Sequence, residues 1–254
     1  MELLDEYKRL IEKVQEPAKS TIPRSIIGYP CTNQFFQHER LNTPGYSNSK
    51  MSTIEYWNTP NGPKRIADSC KKAGSDEFRA AVFLTHAPAQ FPIVAAGKLY
   101  KHFNATRVFD PYAGWGDRCL AAMATDTDYV GVDSNRKLQK CFKRLVNYYP
   151  TQAEIEFISS KAEDTNYEDL DYDLLLTSPP FWIDGKMVEC YADSIDDYDE
   201  FLESSLFPIM DDAFDKKARV CLHLPNQMYH DVKKEFGKAN KIFTYGTKDK
   251  IYCW

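Results

Sequence analysis

The sequence has no apolar run approaching the roughly 20 residues that a membrane-spanning helix needs. Its opening, MELLDEYKRL, carries acids where a secretory signal would carry a basic flank and an apolar stretch. The chain has 254 residues, 43% hydrophobic and 27% charged, which is enough apolar material for a sizeable core. We therefore expect an intracellular protein, cytoplasmic or nuclear, with no membrane partner.

Cysteines at metal-binding or redox spacing are also missing. The seven cysteines are scattered, no CxxC pair occurs, and no histidine lies at zinc-finger spacing from a cysteine pair. This pattern argues against a disulfide framework and against a structural zinc site. We predict reduced thiols and no metal.

Acidic residues are outnumbered by basic residues in the N-terminal part of the chain. Residues 1–104 carry 14 basic and 10 acidic residues, a balance of +4, whereas residues 105–254 carry 18 and 27, a balance of −9. A polyanionic partner should therefore prefer the N-terminal part.

After its first predicted helix, the N-terminal part shows no regular hydrophobic periodicity. Residues 2–16 have helical spacing, whereas the many prolines of residues 17–65 predict irregular structure. Further helical segments are expected near 66–73, 76–84 and 90–103. Aromatic and basic residues alternate over 24–65, a mixture that suits phosphates and unstacked bases. A plain structural wrap around the rest of the chain is the alternative.

From Thr106 onward, short apolar segments alternate with helical ones. The predicted strands are 107–112, 129–133, 155–160, 173–178 and 219–224. The predicted helices are 117–125, 136–148, 198–214 and 227–236. Segments 241–246 and 249–254 predict a final hairpin. This alternation indicates a mainly parallel sheet with helices on both faces and an antiparallel edge.

The segment FDPYAGWGDR, residues 109–118, follows the first predicted strand and opens a helix. Gly114 and Gly116 permit a tight turn and a close backbone approach to a ligand. Asp133 ends the next strand, where an acid suits the two hydroxyls of a ribose. The pair predicts a nucleoside cofactor at the carboxyl ends of these strands.

The same segment argues against a dinucleotide. A third glycine is missing, and Asp117 stands where a pyrophosphate would be repelled. The acid Asp110 suits a positively charged ligand end. S-adenosylmethionine fits, because it has a ribose, an ammonium and a sulfonium but no phosphate.

A second motif, Ser178-Pro179-Pro180-Phe181, follows the strand DLLLT. Prolines have a fixed φ and donate no backbone hydrogen bond, so the loop is stiff and offers bare carbonyls. The Ser178 hydroxyl and the Pro179 carbonyl suit the two hydrogens of an exocyclic amine. Phe181 offers a flat face to a heterocyclic base.

With both motifs in this order, the chain resembles the class I S-adenosylmethionine-dependent amino-methyltransferases of nucleic acids. More closely, the segments AGWGDR, YVGVD and TSPPF resemble those of a group of DNA methyltransferases of large DNA viruses and phages. The resemblance implies an α/β, Rossmann-like fold with a seven-stranded, mostly parallel sheet. Residues 105–254 would be the catalytic domain, and residues 1–104 a mainly helical and irregular extension with a nucleic-acid contact.

The resemblance also implies roles for individual residues. Ser178, Pro179, Pro180 and Phe181 would be catalytic. The implied cofactor-binding residues are Phe91 (of the segment QFP), Asp110, Pro111, Tyr112, Gly114, Gly116, Asp133, Ser134, Ala162, Glu163 and Asp164. Lys161-Ala162 departs from the usual Asp-Ala of relatives and weakens the adenine assignment. The acidic segment 184–200 is longer than usual, and is either a lid or a solvated loop.

The implied activity is methyl transfer to cytosine N4 or adenine N6, with DNA favoured over RNA. An RNA adenine or cap-adjacent methyltransferase and an inactive nucleic-acid-binding subunit are the alternatives, as is methylation of a small amine or a protein glutamine. Cytosine C5 chemistry is disfavoured because neither Cys119 nor Cys141 follows a proline pair. The scattered histidines, His86, His102, His223 and His230, are expected to be core or surface residues. The oligomeric state stays open.

Overall fold

The computed structural model describes residues 3–45, 51–183, 185–188, 197–246 and 249–254. Part of the predicted aromatic and basic stretch (46–50) and most of the acidic segment (184 and 189–196) lie outside these residues. None of the helices in the described ranges combines the length and apolarity needed to cross a bilayer. No group of three or more His, Cys, Asp or Glu side chains in these ranges is placed to hold a metal ion.

The N-terminal part is mostly helical. Its elements are α1 (Leu3–Val14), β1 (Thr21–Ile22), α2 (Tyr29–Asn42), α3 (Thr53–Trp57), α4 (Gly62–Ala73), α5 (Glu77–Thr85) and α6 (Ile93–Phe103). The irregular structure predicted for 17–65 is therefore wrong over α2, α3 and the start of α4. Pro30 and Pro63 lie in the first turns of α2 and α4, where a missing backbone N–H leaves no helical hydrogen bond unmade. These prolines begin helices instead of preventing them.

The rest of the chain alternates strands and helices. The strands are β2 (Arg107–Asp110), β3 (Asp128–Val132), β4 (Ile155–Ile158), β5 (Leu174–Thr177), β6 (Phe181–Ile183), β7 (Lys186–Val188), β8 (Arg219–His223), β9 (Lys241–Tyr245) and β10 (Asp249–Cys253). The helices are α7 (Asp117–Thr125), α8 (Leu138–Tyr148), α9 (Tyr198–Phe201), α10 (Phe207–Asp215) and α11 (Asn226–Phe236). A π-helical turn, Leu202–Leu206, joins α9 to α10.

Within the described residues the main sheet has eight strands in the order β1-β9-β10-β8-β5-β2-β3-β4. The pairs β4–β3, β3–β2, β2–β5 and β5–β8 are parallel, and β10 is antiparallel to both of its neighbours. This confirms the Rossmann-like α/β fold and the final hairpin. The predicted number of seven strands is corrected by β1, which adds a parallel edge strand to β9.

Two apolar cores cover the two faces of the sheet. Leu174 and Leu176 of β5 contribute to one core, and Leu175 between them contributes to the other, as expected from the alternation of side chains along a strand. The first core also contains Leu10 of α1 and Leu99 of α6. Residues 1–104 therefore share a core with the sheet, except for a small separate cluster among α3, α4 and α5.

Candidate active site

The order of the strands determines where a cleft can form. The chain runs from β2 outward to β3 and β4, then returns to place β5 on the other side of β2. Ligands of open parallel sheets bind at the carboxyl ends of the strands at such a reversal. A cavity of about 420 Å³ opens there, within the range of roughly 300–1,000 Å³ typical of small-molecule sites.

The glycine turn after β2 forms the first wall. Gly114 and Gly116 have φ values of 58° and 75°, in the left-handed region that glycine adopts without strain. A Cβ on Gly116 would lie 2.5 Å from Cε2 of Phe36 in α2. Gly116 therefore serves the packing of the N-terminal part onto the turn, whereas Gly114 borders the cavity.

Asp133 follows β3 and borders the same cavity. Its Oδ2 accepts a hydrogen bond from the Gly114 N–H at 2.8 Å, and its Oδ1 accepts one from the Asn135 N–H at 2.9 Å. Burial raises the pKa of Asp133 to about 6. Because a carboxylate has about four acceptor positions, both oxygens retain capacity for ligand hydroxyls.

Asp110, which was predicted to hold the cofactor, does not border the cavity. The side chain is fully buried. Its Oδ2 accepts from Arg118 Nε and from the Tyr129 hydroxyl, each at 2.6 Å, and its Oδ1 accepts from Thr177 Oγ1 at 2.7 Å. A buried carboxylate needs such partners, and these take three of its roughly four acceptor positions.

The partners of Asp110 connect the two motifs. Tyr129 belongs to β3, and Thr177 ends β5 immediately before Ser178. Arg118, at the start of α7, also donates to the Tyr112 carbonyl. One buried acid thus joins β2, β3, β5 and α7 at the edge of the sheet where the cavity opens.

Every second residue of the Ser-Pro-Pro-Phe loop borders the cavity. Ser178 and Pro180 border the cavity, whereas Pro179 is buried away from it and Phe181 also lies outside it. This alternation is the one expected of an extended chain, in which successive side chains point to opposite sides. Stacking of a base on Phe181 stays a prediction, because Phe181 does not border the cavity in this structure.

His223, at the end of β8, borders the cavity next to Ser178. Its Nδ1 lies 3.1 Å from Ser178 Oγ, and its ring meets Phe91 and Phe181 edge-on at 5.5 and 5.3 Å. Burial and the Arg118 charge lower the pKa of His223 to about 4. The imidazole is therefore neutral near pH 7. Because it borders the cavity, His223 is a candidate site residue that the scattered histidine pattern did not indicate.

Asp117 lies 2% exposed at the start of α7 and connects the QFP segment to the glycine turn. It accepts hydrogen bonds from Gln90 Nε2 at 3.2 Å, the Phe91 N–H at 3.1 Å and Thr32 Oγ1 at 2.9 Å. Burial raises the pKa of Asp117 to about 7. The guanidinium of Arg118 lies 4.8 Å from the Phe91 ring, so Phe91 is held at the cavity from both sides.

The third wall follows β4 and faces the π-helical turn. Ala162 and Glu163 border the cavity, whereas Asp164 is exposed outside it. Ser205 of the turn donates to Glu163 Oε2 at 3.2 Å, and its hydroxyl lies 2.8 Å from that of Tyr112. Single π turns inside helices occur frequently at functional sites, and this one brings its serines to the cavity.

The described part of the acidic segment contributes to this rim. Strand β7 (Lys186–Val188) pairs with β6 as a two-stranded antiparallel ribbon. Asp197 and Glu200 border the cavity.

Ten of the fifteen predicted site residues border one cavity: Phe91, Pro111, Tyr112, Gly114, Asp133, Ser134, Ala162, Glu163, Ser178 and Pro180. The five that do not are Asp110, Gly116, Asp164, Pro179 and Phe181. Sequence reasoning missed Trp115, Asn135, Phe201, Ser204, Ser205 and His223 as cavity residues. Among them, His223 had a signal in the sequence, since it lies one residue before the end of the strand predicted over 219–224, and Trp115 had one, since it lies between the two glycines of the motif.

Comparisons with known proteins are limited to partial structural likeness. No protein-family model and no curated protein matches the chain. A SAM-dependent methyltransferase from Agrobacterium tumefaciens has a TM-score of 0.40 and 16% identity over 58% of this chain and 55% of its own. The hMettl16 catalytic domain in complex with the MAT2A 3'UTR hairpin 6 has a TM-score of 0.45 and 13% identity. This match covers 65% of this chain and 70% of the hMettl16 chain.

A third structure is a Pyrococcus abyssi tRNA (uracil-54, C5)-methyltransferase in complex with S-adenosyl-L-homocysteine. Its TM-score is 0.38 at 15% identity, covering 57% of this chain and 33% of its own length. Because each TM-score lies below 0.5, these likenesses indicate neither a substrate nor an activity for this protein.

Proposed function

We propose that this protein transfers a methyl group from S-adenosylmethionine to an exocyclic amine of a nucleic-acid base, with DNA as the favoured substrate. The observation that carries the proposal is the meeting of two sequence motifs at one cavity. Gly114 and Asp133 follow β2 and β3, Ser178 follows β5 on the other side of β2, and all three border the cavity. This arrangement supports a donor site that lies next to an acceptor for an amine hydrogen.

The side chains around the cavity fit S-adenosylmethionine. Five acids border it, against two bases, Arg118 and Lys161; the acids are Asp117, Asp133, Glu163, Asp197 and Glu200. This balance suits a ligand that carries an ammonium and a sulfonium, and it disfavours a pyrophosphate. Gly114 leaves open space at its Cα, where a Cβ would meet only the Tyr112 carbonyl oxygen at 3.9 Å.

Asp133 would accept hydrogen bonds from the ribose hydroxyls, and Phe91, Tyr112 and Ala162 would provide apolar contact. When bound, S-adenosylmethionine supplies the methyl group to be transferred. Ser178 Oγ would accept one hydrogen of the target amine, and the Pro179 carbonyl stays the predicted second acceptor. Accepting these hydrogens orients the amine and favours the positive charge that develops on its nitrogen.

A base in a duplex must leave the stack to reach such a cavity, at a cost of a few kcal/mol. We propose that α4 and α5 hold the nucleic acid near the rim. Helix α4 exposes four basic side chains and one acid (Lys64, Arg65, Lys71, Lys72 and Asp68). Basic side chains on one helix supply the phosphate contacts that dominate nucleic-acid affinity.

Helix α5 adds exposed rings beside those charges. Phe83 is 70% and Phe78 is 42% exposed, and the His86 ring lies 6.4 Å from that of Phe83. His86 lies three positions, or at most about 11 Å of chain, before Ala89 at the cavity. Exposed rings next to cations suit stacking with unpaired bases, and these lie close enough to hold neighbours of a flipped base.

The decisive experiment is mass spectrometry of nucleosides after incubation of the protein with labelled S-adenosylmethionine. Parallel reactions contain duplex DNA, single-stranded DNA or single-stranded RNA of the same sequence. The proposal expects label in N4-methylcytosine or N6-methyladenine from DNA. Label found only in RNA would mean that RNA, and not DNA, is the substrate. Cofactor and nucleic-acid binding without any transfer would indicate a binding subunit instead.

Cofactor affinity should depend on the ionisation of Asp133. Only the carboxylate accepts two hydroxyl hydrogen bonds, and its raised pKa of about 6 leaves it mostly protonated at pH 5 and mostly ionised at pH 7. Binding of S-adenosylhomocysteine, measured by calorimetry, should therefore strengthen about tenfold between these pH values. Asp133→Asn should bind weakly at both. A pH-independent affinity in the wild-type protein would contradict the ribose assignment.

Removal of the Phe83 ring should weaken nucleic-acid binding. Phe83→Ala should raise the Kd for a single-stranded oligonucleotide about tenfold, the effect of losing one base–aromatic stack. The matched control is Tyr148→Ala, which removes another exposed ring, at the C-terminal end of α8. This end of α8 leads to the amino end of β4 and therefore lies away from the carboxyl edge of the sheet, where the cavity opens. Fluorescence anisotropy measures both variants, and equal effects would exclude α5 as the docking surface.

A further inference from the structure

The least explained part of the cavity is the contact between Ser178 and His223. A serine hydroxyl can donate one hydrogen and accept two, so its side chain does not by itself choose a role toward an amine. If the Ser178 hydroxyl pointed its hydrogen at the substrate, it would compete with the amine hydrogens. The neighbour that takes up the hydroxyl hydrogen therefore decides what Ser178 can do.

We propose that His223 is a positioning residue that accepts the Ser178 hydroxyl hydrogen on Nδ1 and thereby makes Ser178 Oγ an acceptor for the target amine. This inference deepens the proposed function and rests on it. The 3.1 Å separation between His223 Nδ1 and Ser178 Oγ is a hydrogen-bond distance. With Nδ1 as the acceptor, the ring proton resides on Nε2.

The surroundings of His223 favour the neutral ring that this role needs. Burial and the positive charge of Arg118 oppose protonation of the imidazole. Phe91 and Phe181 meet the ring edge-on, at 5.5 and 5.3 Å between ring centroids, and restrict its rotation. A protonated His223 would donate from Nδ1 and turn the hydroxyl hydrogen of Ser178 toward the substrate.

The position of His223 follows from the fold. Strands β5 and β8 are parallel neighbours, paired from Leu174–Arg219 to Thr177–Leu222. The next residues of the two strands, Ser178 and His223, therefore lie beside each other at the carboxyl edge. Their contact is set by the register of the sheet and does not require a loop to rearrange.

Kinetics of two substitutions at His223 test the role. His223→Phe keeps a ring between Phe91 and Phe181 but has no acceptor, and should lower kcat about tenfold with little change in KM. His223→Asn places an amide oxygen near the position of Nδ1 and should restore most of the lost activity. A loss in both variants, accompanied by weaker cofactor binding, would indicate a packing role and overturn the inference.

A double substitution separates positioning from an independent contribution. If His223 acts through the Ser178 hydroxyl, then His223→Phe should cause no further loss in a Ser178→Ala background. Losses that multiply would contradict the proposal.

The tautomer of His223 in the wild-type protein provides a test that needs no activity. Nitrogen-15 chemical shifts of the imidazoles, with the His223 signals assigned by their loss in His223→Phe, should show hydrogen on Nε2 and a bare Nδ1 at pH 7. Hydrogen on Nδ1 would overturn the inference even if methyl transfer is found. Absence of transfer with hydrogen on Nε2 would instead reject the proposed function and leave the hydrogen bond intact.

Discussion

Replacement of Ser178 by alanine should lower kcat for methyl transfer by about 100-fold, the typical effect of deleting one hydrogen-bonding group aimed at developing charge. Ser178 follows β5, whereas Gly114 and Asp133 follow β2 and β3. Its hydroxyl lies 3.1 Å from Nδ1 of His223, which is not among the residues proposed to hold the cofactor. The Kd for S-adenosylhomocysteine, measured by calorimetry, should therefore stay close to that of the wild-type protein.

The matched control is Ser20→Ala, which deletes an exposed hydroxyl beside the edge strand β1. Its kcat and Kd should both equal those of the wild-type protein. Full turnover by Ser178→Ala would remove the serine from the mechanism. A parallel fall in cofactor affinity would mean that Ser178 belongs to the cofactor site instead of the amine site.

Replacement of Asp110 by alanine should destabilise the protein by about 3–5 kcal/mol, since it leaves a buried charge without its partner. Arg118 is 5% exposed and pairs with Asp110 at 2.6 Å between Nε and Oδ2. The hydroxyls of Tyr129 and Thr177 lose their acceptor in the same variant. Urea denaturation at pH 7, followed by circular dichroism, measures the change in the free energy of unfolding.

Glu156→Ala is the matched control because it also removes the acid of an arginine pair in the same sheet. The Arg107–Glu156 pair, at 3.7 Å, joins β2 to β4 with the Glu156 side chain 53% exposed, and exposed pairs contribute about 0–1 kcal/mol. Similar losses in the two variants would show that Asp110 is not the connection between the motifs that its hydrogen bonds suggest.

The parallel sheet was predictable because its signal is local. Each strand is a short apolar segment followed by a helix with its own periodicity, and parallel strands need such crossovers. The strand predicted over 173–178, for example, is observed as Leu174–Thr177. The observed strands are mostly shorter than predicted, because residues such as Pro111 and Tyr112 continue the apolar pattern into loops that line the cavity.

Helix α2 was not predictable in the same way. It buries Cys31, Thr32, Phe35, Phe36 and Arg40, so polar and apolar residues are both covered and no simple amphipathic stripe appears. Its surroundings come from distant parts of the chain: Phe36 packs on Phe142 and on Gly116, and Thr32 donates to Asp117. Tertiary contacts override weak local preferences in such a helix.

Asp110 and His223 show the same limit at the site. The acid in FDPY was expected to face a ligand, but the residues that occupy its oxygens lie 8, 19 and 67 positions away along the chain. His223 lies 45 residues from Ser178, and no spacing rule relates the two. Such partners can be identified only once the strand order is known.

The sequence by itself determined that short strands alternate with helices and that two chemically distinct motifs each end a strand, because hydrophobic periodicity and turn-forming residues act over a few positions. Only the tertiary structure decided that the two motifs share a cavity, that Asp110 joins strands instead of facing it, and that a histidine sits beside Ser178. Strand order and register place residues together across the sheet, and both depend on the packing of the whole chain.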